Sequence, residues 1–220
     1  MRKLSLVWMF VFLLCSSAVS HEHWIDLEEF YPLPGEKTIV SICSGHYFPK
    51  SSVILADRLL HDMRIISPDK KEYTYETRDE KNRRVAEVVL KSAGIHLISF
   101  SLKKPPVKEP LYFAKSIVLV GELTEDKVSY TLGCLIEIVP EKDISRLKKG
   151  EELPLRLLYK GKPATSTFSI SLDGKENFFL RTNKDGLALL KVTTLGRYLI
   201  TAHYKGKGCS LTFCIREFDN

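Results

Sequence analysis

The chain has 220 residues, with 33 Lys and Arg against 27 Asp and Glu and a formal net charge of +6. That excess is mild, and the densest basic run, Lys81 to Arg84, follows directly on Asp79 and Glu80, so it reads as a solvated hairpin or loop in preference to a polyanion-binding patch, and no nucleic-acid partner is expected. Once Met1 to Ser20 is set aside, 200 residues remain, room for two sandwich domains of about 100 residues each.

Met1 to Ser20 reads as an export leader. Arg2 and Lys3 are its basic start, Leu4 to Leu14 its apolar run, and Ala18 and Ser20 its small residues at the cleavage site. The apolar run falls short of the roughly 20 residues that span hydrocarbon, and no later segment is apolar enough, so the expectation is a periplasmic or secreted chain that does not cross a membrane. Cleavage after Ser20 leaves His21 as the first residue, followed by Glu22, His23 and Trp24. A terminal histidine can chelate a transition metal through its α-amine and ring. Alternatively the amine, two amide nitrogens and the His23 ring can enclose Cu(II) or Ni(II) in a square plane.

Short runs rich in Val, Ile, Tyr and Phe follow: Lys37 to Cys43, Met63 to Ile66, Glu72 to Thr77, Val85 to Leu90, Ile95 to Leu102 and Ala114 to Val120. Turn chemistry separates them at Pro34-Gly35, Ser67-Pro68-Asp69 and Ala93-Gly94, which predicts strands. Ser52 to Arg64 has the one weak helical rhythm and reads as a loop holding at most a short helix. The polar stretch Gly121 to Ser129 is the expected division between an N-terminal β-sandwich (21–125) and a C-terminal immunoglobulin-like β-sandwich (126–220).

The second half repeats the texture in seven runs: Ile136 to Val139, Leu153 to Tyr159, Thr167 to Leu172, Phe178 to Thr182, Leu187 to Thr193, Tyr198 to Tyr204 and Ser210 to Ile215. Seven short strands at roughly 8 to 12 residue spacing suit an immunoglobulin-like sandwich. The predicted fold class is therefore all-β, two immunoglobulin-like β-sandwich domains in tandem after a signal peptide. Four cysteines follow the leader, Cys43, Cys134, Cys209 and Cys214, and an even number in an oxidising compartment predicts two disulfides. Cys209 and Cys214 are five apart on one strand and face opposite ways, so each is expected to pair with Cys43 or Cys134.

Four motifs carry a resemblance: His21-Glu22-His23-Trp24-Ile25, Gly45-His46-Tyr47-Phe48-Pro49, Leu135-Ile136-Glu137-Ile138-Val139-Pro140 with the Gly150 to Pro163 stretch, and Asp185-Gly186 with Leu195 to Ile200 and His203. Together they resemble the NikM-like periplasmic domain-of-unknown-function family, described as the periplasmic component of nickel or cobalt uptake. The resemblance implies a divalent metal ion (Ni, Co or Cu) and a membrane transporter component as partners, with His21, His46 and His203 on the family's motifs. The chain departs from the pattern between Leu102 and Ala114, where a longer insertion is usual, and in placing Tyr198 where tryptophan is usual.

Imidazole suits first-row metals, so all six histidines are chemically eligible; the resemblance singles out His21, His46 and His203 as metal candidates, and His23, on the same face of the extended chain as His21, joins them. His96, inside a strand, is expected to take a buried, hydrogen-bonded or exposed-face role, and His61, in the loop or helix, to be a poor donor. No Gly-x-Ser-x-Gly elbow or His-Glu-x-x-His pair is present, which points away from hydrolytic enzymes. The leading reading is a non-enzymatic metal-binding accessory protein that delivers its ion to a membrane uptake system. The alternative is a non-catalytic interaction module that binds a partner protein or cell-surface polymer.

Overall fold

A computed structural model of the protein describes residues 21–104, 106, 109–122, 129–173, 175 and 177–217. The export leader and most of the expected domain division at 121–129 lie outside the described residues. The chain is nearly all strand. The first half forms β1 (Glu22–Leu27), β2 (Lys37–Gly45), β3 (Leu60–Ile66), β4 (Glu72–Thr74), β5 (Arg78–Glu80), β6 (Arg83–Val89), β7 (Gly94–Leu102) and β8 (Tyr112–Val120). The second forms β9 (Ile136–Pro140), β10 (Glu152–Tyr159), β11 (Lys162–Pro163), β12 (Thr167–Leu172), β13 (Phe178–Arg181), β14 (Leu187–Lys191), β15 (Gly196–Tyr204) and β16 (Lys207–Ile215). No helix among the described residues is long and apolar enough to cross a membrane.

The architecture is immunoglobulin-like in its sandwiched antiparallel strands, but the two halves share a layer. One eight-stranded sheet runs β13-β12-β15-β16-β8-β7-β3-β4, joined at its centre by a parallel ladder between β16 and β8. A four-stranded sheet, β1-β2-β6-β5, belongs to the first half, and β9, β10, β11 and β14 form another in the second.

This shared layer explains the burial of β7 along its whole length and of β8 at every position but Phe113. Ile98, Phe100, Val118 and Val120 fill the core of the first half, while the intervening Leu97, Ile117 and Leu119 pack into the core of the second. Strands covered on both faces have no solvent side to alternate toward, so their sequences read as near-continuous apolar runs. Across the seam the β8 ammonium of Lys115 meets the β9 carboxylate of Glu137 at 2.6 Å, both side chains only 4% exposed. Lys115 also donates to the Tyr130 carbonyl, and Glu137 accepts from the Leu132 and Gly133 amides.

Two expectations need correction. The Ser52 to Arg64 segment holds a single 3-10 turn, Asp57–Leu59, and β3 then begins at Leu60, so His61 lies on a strand that pairs with β7. The four cysteines are free thiols, not two disulfides. Their placement gives the reason: Cys43 packs with Trp24, Phe48 and Leu199, Cys209 sits in the second core, and Cys214 lies against the first. Cys209 and Cys214 do point to opposite faces of β16, as period-2 geometry requires. Burial pushes the Cys43 thiol up to about 12, which holds it as an unreactive thiol.

A cleft rimmed by histidines

β1 is the strand that builds the site. Its odd-numbered Ile25 and Leu27 enter the first core, so Glu22, Trp24 and Asp26 face the other way, toward β15 of the second half. There they meet a matching row. Glu22 Oε1 lies 3.2 Å from His203 Nε2, Trp24 packs in a buried cluster with Leu199, and Asp26 pairs with Arg197 at 2.8 Å. Arg197 also reaches Asp173, so the inner end of this row is closed. The outer end, at Glu22 and His203, opens to solvent.

β2 brings the second histidine motif to the same end. Antiparallel pairing sets Glu22 opposite Gly45 and His23 opposite Ser44. The next residue, His46, therefore lies beside His21, and their rings stack with centroids 4.2 Å apart. Gly45 has no room for a side chain: an added Cβ would stand 2.8 Å from Ser52 Oγ and 3.2 Å from the Lys50 carbonyl. Downstream, Phe48 meets the Trp24 indole edge-on at 5.8 Å, before a cis Phe48–Pro49 peptide.

Tyr112, the first residue of β8, connects the remaining groups. Its hydroxyl donates to Glu22 Oε2 at 3.0 Å, and its ring meets His23 at 4.9 Å and His203 at 6.1 Å. The parallel register that sets Gly208 opposite Tyr112 makes room for that ring. A Cβ on Gly208 would collide with it and stand 3.0 Å from His203 Cε1.

The electrostatics differ from group to group. Burial pushes the His23 ring down to about 4, against the opposing charge of Glu22, so it is a neutral imidazole at pH 7, hydrogen-bonded to Ser44 Oγ at 3.0 Å. Burial alone would raise the Glu22 carboxyl, but the hydrogen bond and charge of His203, with the Tyr112 hydroxyl, outweigh it and hold Glu22 below its ordinary value. The bond to Glu22 in turn raises His203.

Glu22, His46 and His203 stand on the wall of a cleft of about 640 Å³. Its floor is the polar face of β12, with Thr167, Ser169 and Ser171 alternating against the core residues Phe168, Ile170 and Leu172. The β15 partner Thr201 extends that floor, and the edge strand β13 adds Phe179, 68% exposed, and Arg181. Trp24 lines the inner wall. It is fully buried, and its Nε1–H has no hydrogen-bond partner among the described residues.

The four histidines singled out from the sequence thus gather at one end of β1, in two groups: His21 with His46, and His23 with His203 around Tyr112 and Glu22. Among the described residues, no three His, Cys, Asp or Glu side chains stand close enough to hold a metal ion unaided. His96 is 2% exposed and bonded through Nδ1 to the Gly94 carbonyl, a structural position as expected. Tyr112, Trp24 and the β12 hydroxyls were not singled out. The alternation Thr167, Ser169, Ser171 was a legible signal for a polar strand face, whereas nothing local marks Tyr112.

One family model matches residues 18–206, which takes in β1, the His46 turn and His203. The chain belongs to the DUF4198 family, a domain of unknown function. No curated protein matches it. Among solved structures, the D0-D1 domain of intimin overlaps 90% of this chain and 98% of its own at 17% identity and a TM-score of 0.29. A DUF4785 family protein from Legionella pneumophila overlaps 84% of this chain and 52% of its own at 10% identity and a TM-score of 0.32. A tandem pair of titin immunoglobulin domains overlaps 91% and 100% at 12% and 0.25. At TM-scores this low the overlaps add nothing to what the sheets of this DUF4198 chain already show.

Proposed function

We propose that this DUF4198 protein is a non-catalytic binding module of the cell envelope, and that the histidine-rimmed cleft captures a divalent transition metal for delivery to a membrane uptake system. The observation that carries this reading is the convergence of His21, His23, His46 and His203 from three separate stretches of sequence onto one end of β1. Imidazoles, one of them held neutral by burial, together with the Glu22 carboxylate form a donor set that suits Ni(II), Co(II) or Cu(II). Donors in two loosely spaced groups fit an ion that is captured and released, in contrast to a closed structural site. Export and cleavage after Ser20 would add the His21 α-amine to the set.

The test is calorimetric titration with Ni(II) of the chain beginning at His21, beside a version with one extra N-terminal residue and a His46→Ala variant. About one equivalent bound, with weaker binding in both altered proteins, is the expected result. Binding that neither change affects, or no binding at all, removes the metal reading.

A second reading has its own observation. The β13 edge of the eight-stranded sheet presents Phe179 to solvent beside Arg181, and an open edge next to an exposed aromatic can take an added strand of a partner protein. In that case Phe179→Ser weakens partner capture while leaving metal binding unchanged.

A further inference from the structure

The floor of the cleft is one continuous face of three strands. Paired residues on neighbouring antiparallel strands point to the same side of a sheet, with Cβ atoms about 4.5–5.5 Å apart. Phe179 of β13, Ser169 of β12 and Thr201 of β15 therefore form a row, flanked by the pairs Arg181–Thr167 and Ser171–Leu199. None of the four hydroxyls on this face, those of Thr167, Ser169, Ser171 and Thr201, bonds to another described residue. Thr201 is only 3% exposed and Ser171 7%, yet both line the cleft. The adjacent Thr165 and Ser166 hydroxyls, by contrast, donate to the Asn183 and His203 carbonyls. Buried hydroxyls without a protein partner call for another one, and here they face the cleft. We infer that this floor binds a saccharide that carries a carboxylate. The inference goes beyond the metal reading and does not depend on it, because it uses the floor of the cleft and not the histidine rim.

A sugar ring presents hydroxyls around its edge and an apolar C–H face, and the floor offers a match for each. Side-chain hydroxyls both donate and accept, as ring hydroxyls do. Phe179, 68% exposed at the outer end of the row, presents an aromatic face, electron-rich and suited to polarised C–H groups. Arg181, two residues along the same edge strand, lines the cleft, and among the described residues its guanidinium forms no ion pair. A planar fork of donors without a carboxylate of its own is suited to take one from a ligand in bidentate geometry. Glu22 does not oppose that charge at close range: it stands on the β1 wall, with β12 and β15 between it and Arg181, and it is already bonded to His203 and Tyr112. The volume of about 640 Å³ falls within the roughly 300–1,000 Å³ of sites that hold small organic ligands.

Short oligomers of galacturonate, mannuronate and glucuronate, and neutral galactose, mannose and glucose oligomers of matching linkage, are titrated calorimetrically into the chain beginning at His21. The same titrations are run on its Thr201→Val, Ser169→Ala, Phe179→Ala and Arg181→Gln variants, with folding checked by circular dichroism. At least one acidic oligomer is expected to bind, at least tenfold more tightly than its neutral counterpart. Arg181→Gln, at an exposed edge position, removes that difference. Phe179→Ala weakens acidic and neutral forms alike, and Thr201→Val lowers affinity at least tenfold; Ser169→Ala, at a less buried position, carries the floor test if the valine variant does not fold. No binding of any acidic oligomer, equal affinity for acidic and neutral forms, or a difference that survives Arg181→Gln overturns the inference. Weakening by Phe179→Ala with both floor variants unaffected also overturns it, because the ligand then adds to the β13 edge. Ni(II) titration of the same proteins keeps the readings apart: nickel binding without saccharide binding overturns this inference alone, and saccharide binding without nickel binding overturns the metal reading alone.

Discussion

Among the ionic contacts that bridge the halves of this protein, two are opposites. Lys115 and Glu137 are sealed in the seam, 4% exposed, and bonded to one another and to the Tyr130 carbonyl and the Leu132 and Gly133 amides. Glu22 and His203 form a similar bridge at the rim, yet half in solvent and beside a cleft with an orphaned indole N–H. The closed pair is shut away from any ligand and serves to fix how the halves meet. The open pair holds little of the fold together and leaves donors and acceptors facing a space that a ligand can enter. Burial and completeness of the hydrogen bonds, more than the kind of residue, separate a structural charge from a binding one.

The contrast can be broken most severely at the seam. Lys115→Met leaves the Glu137 carboxylate buried without its cation and is expected to cost about 3–5 kcal/mol, read from urea unfolding. The double variant Lys115→Met/Glu137→Leu recovers only part of that loss, because the Leu132 and Gly133 amides are then unpaired. Gly208→Ala comes next. Its methyl group forces the Tyr112 ring aside, with an expected cost of about 1–3 kcal/mol, and it weakens metal binding by displacing Tyr112 from Glu22 and His203. At the rim the balance reverses: His203→Gln or Glu22→Gln changes stability by less than about 1 kcal/mol but lowers Ni(II) affinity at least tenfold in calorimetry.

The smallest effect tests whether a buried histidine away from the cleft is purely structural. Burial lowers His96, with the Gly94 carbonyl bond and Asp69 in opposition, so the folded protein resists protonating it. Its contribution is present above the unfolded value of about 6.5 and is lost as pH falls below that point, where the unfolded chain binds the proton more readily. His96→Gln is expected to flatten the fall in unfolding free energy between pH 7 and 5 relative to the natural chain, with metal affinity at pH 7 unchanged.

Much of the fold was legible. The strand Thr167–Leu172, and the Lys37 to Cys43 part of β2, which runs on to Gly45, follow from alternating or β-branched runs between turn residues, because pleat and turn are local physics. The sequence reads the β3 strand only from Met63 because Leu59 and Leu60 fit the weak helical rhythm of Ser52 to Arg64, and the pairing of β3 with β7 shifts register between His61 and Arg64. The predicted disulfides failed for another reason. An even cysteine count constrains pairing only if side chains meet, and here three of the four thiols pack in separate clusters. Of the site, the histidines were visible as residue types in motifs. Tyr112 and Arg181 were not, since their roles depend on strands far apart in sequence.

What the sequence determined by itself is therefore the all-β class, most strand positions, the polar face of β12 and the set of candidate histidines, all properties of nearest neighbours along the chain. Only the tertiary structure decided that β8 and β16 pair in parallel, that the two halves share one sheet, and that Glu22 of the first half faces His203 of the second. Those contacts join residues up to 181 positions apart. Their register is set by which apolar faces must be covered from both sides, a condition no local pattern encodes.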